Sequence, residues 1–136
     1  MYCGKSCATL KKQMRKEVGV VSKVALVPCG DYETERVYEA LKTGLELLGG
    51  LGSFLQPGDP VLLKPNLLRK ASPEQAVATH PALVEAAARL AREAGCGPVS
   101  WGDSPGGAGV SPAKVADAAG IGEVARRMEL RTADFT

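Results

Sequence analysis

Residues 79–101 read THPALVEAAARLAREAGCGPVSW, and this stretch decides the fold. Proline at the first position of a helix gives up no hydrogen bond and arrives with its φ preset, so Thr79 or His80 is the cap and Pro81 the start. Leu83, Val84, Ala87, Leu90, Ala91 and Ala94 then recur at helical spacing along one side, and Gly95 closes the helix. Pro98-Val99-Ser100-Trp101-Gly102 follows at once as a short strand. Upstream, Val61-Leu62-Leu63 is a second strand, delivered by the turn Pro57-Gly58-Asp59 and ended at Lys64-Pro65-Asn66, because proline cannot continue a central ladder. Two strands joined through a helix need a crossover, and a crossover makes them parallel.

The same alternation extends both ways. Lys23-Val24-Ala25-Leu26-Val27-Pro28 has the composition and length of a buried strand. Thr34 is a candidate cap for a helix carrying Val37, Leu41, Leu45 and Leu48, which stops at Gly49-Gly50. Residues 49–60 are turn chemistry around Phe54 and Leu55. Ser111-Pro112 starts a short helix through Ala119; it breaks at Gly120-Ile121-Gly122 and resumes from Glu123 to Met128. Glu129–Phe135 begins a further strand. The order β-α-β-α-β-α-β predicts an α/β fold: a mostly parallel sheet of three to four strands with helices on its faces, Rossmann-like and three-layered but incomplete. The expected organisation is a basic, flexible extension over residues 1–22 and an α/β domain over residues 23–136, the front part of a larger domain.

Composition narrows the function classes. With 45% apolar and 24% charged residues in 136, the chain can bury a core, and disorder is not its class. No uncharged apolar run is long enough to span a bilayer, so no membrane partner is expected. The basic first residues lack the apolar run and small-residue cleavage site of a secretory leader, so none is expected, and the expected location is the cytoplasm. The net charge of +2 is uneven: Lys5, Lys11, Lys12, Arg15 and Lys16 stand against Glu17 in the first 17 residues, leaving twelve basic against fourteen acidic residues in the body. A slightly acidic body with 4% aromatic residues is no nucleic-acid surface. Cys3 and Cys7, spaced C-x3-C, lack the further close cysteines of a cluster motif, and Cys29 and Cys96 read as small hydrophobes. No metal ligands are assigned.

In open parallel sheets ligands bind beyond the carboxyl ends of the strands. That rule gathers Cys29-Gly30-Asp31, Lys64-Pro65-Asn66 and Asp103-Ser104-Pro105-Gly106-Gly107 along one edge, with His80 opening the next helix. The long loop from Leu67 to Thr79 lies there too. Lys64 offers a point charge, Asn66 a bifunctional amide, Ser104 a hydroxyl, and Gly106 and Gly107 close backbone approach. His80, the one histidine, and Asp103 are the candidate catalytic pair. Each has a plainer role open to it: Lys64 can snorkel or pair with Asp103, Asn66 and Ser104 can brace turns, and His80 can cap its helix. No G-x-G-x-x-G follows the first strand and no P-loop is present, so nicotinamide and nucleotide readings fall away.

The set Val61-Leu62-Leu63-Lys64-Pro65-Asn66, Thr79-His80-Pro81 with Val84, Ala94-Gly95 and Gly102-Asp103-Ser104-Pro105-Gly106 resembles the family called domain of unknown function 362, whose members are described as iron–sulfur-associated. The resemblance covers about residues 23–136. It implies a longer parent protein with ferredoxin-type cysteine segments downstream, and hence an iron–sulfur cluster in a full-length relative and a downstream ferredoxin-type domain or redox partner. The expected function is the ligand- or substrate-binding α/β domain of such a redox protein, taking a small polar ligand. A non-catalytic assembly module, with the same loops against a protein partner, is the alternative.

Overall fold

The computed structural model describes residues 22–105 and 110–133. Helix α1 spans Thr34–Leu47. A 3₁₀ turn at Leu51–Ser53 then leads to strand β1, Val61–Leu63. Helix α2, Pro81–Glu93, crosses to strand β2, Val99–Trp101. Two short helices, α3 at Pro112–Ala118 and α4 at Ile121–Arg127, precede strand β3, Arg131–Thr132. The sheet is parallel in the order β1-β2-β3, with Leu63 opposite Trp101 and Trp101 opposite Thr132. The chain is therefore a small α/β fold, as the alternation of apolar segments predicts.

The caps follow local chemistry. His80 caps α2, its Nδ1 accepting the Ala82 N–H at 3.2 Å, and Pro81 takes the first helical position. Ser111 caps α3 ahead of Pro112. At α1 the cap is Glu33 rather than the expected Thr34: its carboxylate accepts the N–H groups of Glu35 and Arg36 at 3.2 and 3.0 Å. A carboxylate also meets the positive end of the helix dipole, which a hydroxyl does not. Helix α4 begins at Ile121, two residues before the expected Glu123, because Gly120 at φ 74 supplies the whole break.

Helix α2 is rich in alanine because it is buried on two sides. Val84, Ala88 and Ala91 join Leu67, Val99, Trp101, Val115, Ile121, Val124 and Leu130 in the main core, with Val61 and Leu63 packed against it. Ala82, Ala86 and Leu90 form a second core with Val37 and Tyr38 of α1. The single apolar stripe read from the sequence is thus two stripes, and Leu83 lies on the exposed side, at 37%. Small residues let both partners approach closely. The turns before β1 and β2 interlock: Gly58 N–H donates to Gly95 O, and Gly97 N–H donates to Asp59 O. A Cβ on Gly97 would lie 2.5 Å from Gly58 O.

Residues 23–28 depart from expectation. Their burial alternates as an extended chain does, Ala25 and Val27 half-buried between exposed neighbours, but no strand is assigned there. Among the described residues they make no backbone–backbone hydrogen bond. Val27 packs toward Gly44 of α1, while Val24 and Leu26 are 80% and 89% exposed. The sequence pattern identifies the extended conformation; pairing depends on a neighbouring strand, which composition does not reveal. Among the described residues the sheet therefore has three strands, beginning at Val61.

Candidate functional site

Parallel register brings Lys64 and Asp103 together. Gly102 N–H donates to Leu63 O at 3.1 Å, carrying the β1–β2 ladder one step beyond the paired residues, so both strands release their chains side by side at their carboxyl ends. Lys64 Nζ then lies 2.6 Å from Asp103 Oδ1. Asp103 Oδ2 accepts the Leu67 N–H at 2.8 Å. Among the described residues Asp103 is the one buried charged side chain, 7% exposed, whereas the Lys64 side chain is 64% exposed.

Burial by itself pushes the Asp103 carboxyl up. The Lys64 hydrogen bond and the Leu67 and Ser104 N–H groups outweigh it and hold the group below its ordinary value. Asp103 is therefore a carboxylate at neutral pH. It anchors the start of the long loop, where Leu67 is fully buried, and it fixes an ammonium that still faces water.

The other sequence candidates take up different positions. Asn66 closes the base of the loop: its N–H donates to Thr79 Oγ1 at 2.8 Å, its Nδ2 to Val77 O at 3.1 Å, and its O accepts from Thr79 N–H. That is the turn-bracing role. His80 has Nδ1 committed to the α2 cap, and its ring stacks on Tyr32 with centroids 3.9 Å apart and planes 15° from parallel. Burial lowers its proton affinity, opposed by the Glu74 carboxylate. No hydrogen bond or ion pair joins His80 to Asp103 among the described residues. Ser104 is exposed beside Asp103. Gly106 and Gly107 lie outside the described residues.

Two neighbours of the candidate residues escaped the sequence reading, one beside Asp103 and one beside His80. Leu67 contributes both a buried side chain and the N–H that fixes Asp103; its signal was an apolar residue directly after the strand-terminating Lys64-Pro65-Asn66. Tyr32 covers His80. Its signal was an aromatic ring in a polar turn of a chain with only three tyrosines.

The described residues do not fit an iron–sulfur cluster, which the resemblance implies for a full-length relative. Cys29 is exposed, its thiol donating to Asp31 O at 3.2 Å, and Cys96 is packed against the main core. The described residues hold no group of three or more His, Cys, Asp or Glu side chains placed to share a metal. Cys3 and Cys7 lie outside the described residues. Among the described residues, too, no helix is long and apolar enough to cross a membrane.

The chain is similar to a thylakoid-associated protein of Synechocystis, 46% identical over 86 residues that make up 63% of this chain and 26% of that protein. It spans about a quarter of that relative's length. No solved structure matches it. The profile described as Domain of unknown function (DUF362) matches residues 61–136, from the first residue of β1 through the strand-end pair to the last residue. More than half of the sequence is matched, and the chain belongs to the DUF362 family.

Proposed function

We propose that this chain is a ligand-binding α/β unit of a longer protein, and that Lys64 contacts a small ligand bearing an oxyanion, a carboxylate or a phosphate. The observation that supports it is the pairing of an exposed ammonium with a buried carboxylate at the strand ends. An ammonium has three donors, and one is used on Asp103. The remaining two face the region where parallel sheets bind ligands. Asp103 positions the ammonium, and the Leu67 N–H holds Asp103 in turn. Ser104, exposed beside the pair, is the next contact in this reading, with Gly106 and Gly107 in the same loop. Asn66 acts through the loop it closes. His80, its Nδ1 held by the α2 cap and its ring stacked on Tyr32, is not used as a proton carrier in this reading.

A redox role in an iron–sulfur protein requires cluster ligands beyond the described residues, and in this reading the rest of a longer polypeptide or a partner supplies them. The cytoplasm is the compartment that goes with it, since the exposed Cys29 thiol suits reducing conditions. Calorimetric titration with inorganic phosphate and, separately, with acetate and citrate tests the proposal. Binding by one of these classes that weakens at least tenfold in Lys64→Ala supports it and names the oxyanion. Affinities equal in wild type and variant point to the assembly-module alternative.

A further inference from the structure

We propose that the free edge of β1 and the extended segment 24–28 are the two walls of a slot for one more β-strand, supplied by polypeptide outside this chain. In the Synechocystis relative, that polypeptide is the part of its length outside the matched 86 residues.

Three relationships lead there. Val61 N–H and Leu63 O are spent toward β2, on Pro98 O and Gly102 N–H. Peptide groups alternate sides along a strand, so the N–H and C=O of Leu62 face the other edge, and among the described residues β2 is the one strand that pairs with β1. Segment 24–28 is likewise without backbone partners among the described residues. Each is an open edge of the kind that recruits a strand.

The helices above fix the spacing. Segment 24–28 lies against α1, β1 packs into the core beneath α2, and α1 and α2 pack side by side through Val37, Tyr38, Ala82, Ala86 and Leu90. Adjacent helices are about 8–10 Å apart. Adjacent strands are about 4.8 Å apart, so one helix spacing covers about two strand spacings. A strand lying under each helix leaves room for one between.

The side of the slot formed by segment 24–28 and the helices is apolar. Ala25, Val27, Leu41, Leu45, Leu48 and Leu83 line a groove of about 370 Å³. On the opposite face Val24, Leu26 and Leu62 are all more than half exposed. A segment apolar on both faces suits a strand of a sheet covered on both sides, and filling the slot joins segment 24–28 to the sheet. The occupant is taken from the longer polypeptide because the matched segment is only 26% of the relative, which leaves about three quarters of that protein to supply a strand.

The test is co-expression of this chain, tagged, with a separate polypeptide comprising the relative's sequence outside the matched segment, followed by amide hydrogen exchange. A one-to-one complex is expected, in which the amides of Leu62 and of at least two of Val24–Val27 exchange about 100-fold more slowly than in the chain alone. Protection already present in the dilute isolated chain would mean that the slot is filled from within and overturns the proposal. So would protection that rises with chain concentration together with a dimeric mass, which assigns the edge to a second copy. Absence of a complex, or a complex without protection at these amides, overturns it as well.

Discussion

Lys64 Nζ and Asp103 Oδ1 meet at 2.6 Å across the carboxyl ends of β1 and β2, yet the two residues stand in opposite surroundings, one in water and one in the core. The asymmetry decides what each contributes. An ion pair with an exposed partner is screened and contributes below about 1 kcal/mol. The N–H groups on a buried carboxylate lose their partner outright if the carboxylate is removed, at about 1–3 kcal/mol. Asp103→Ala should therefore destabilise by about 1–3 kcal/mol and Lys64→Ala by less than about 1 kcal/mol. Urea unfolding of the two variants and of the double variant checks this; a larger loss for Lys64→Ala would reverse the assignment of anchor and presented group.

Acid should act through the same carboxylate. Asp103 is held below its ordinary value of 3.8, so the stability it contributes is fully present above about pH 3.8 and disappears as pH falls through its lower folded-state value. Urea midpoints between pH 5 and 2 should fall more steeply in the wild type than in Asp103→Asn. Parallel curves would mean that the carboxylate is not specially held.

His80 gives a second, separate pH window. Burial holds the ring below its ordinary value of 6.5 against the opposing Glu74 carboxylate, and Nδ1 must be unprotonated to accept the Ala82 N–H. Its contribution is complete above about pH 6.5 and is lost as pH drops through the lower folded-state value. Asparagine also caps helices but does not titrate. The stability of His80→Asn should thus be flatter than that of the wild type between pH 6.5 and about 5, read by thermal melts at half-unit steps.

Leu67 is the apolar counterpart of Asp103, fully buried where the chain leaves the sheet. Leu67→Ala should cost about 2–5 kcal/mol by opening a cavity beneath the site. Gly97→Ala is expected to destabilise by about 1–3 kcal/mol for the opposite reason, since its new methyl would meet the Gly58 carbonyl at 2.5 Å. Equilibrium unfolding of each variant measures both, and a neutral Gly97→Ala would show that the interlocked turns can move apart.

Much of this was legible from residue types. Pro81 behind His80, Pro112 behind Ser111, and Gly95 and Gly120 at helix ends are local signals, and each lies where its chemistry requires. The Lys64–Asp103 encounter was legible too, because strand-end residues of neighbouring parallel strands must emerge together. Two things were hidden. Glu33 displaced Thr34 as a cap through a side-chain reach that one-letter patterns do not encode. Val24 to Val27 carry the signature of a buried strand, but burial and pairing are supplied by neighbours, and the residues of the segment itself hold no record of who they are.

The direct measurement of the account is the affinity of Lys64→Ala set beside its stability. For whichever of phosphate, acetate or citrate binds the wild type, the account predicts at least a tenfold loss of affinity in the variant with unfolding free energy within about 1 kcal/mol of wild type. Unchanged affinity, or a loss that only follows a collapse in stability, would contradict it.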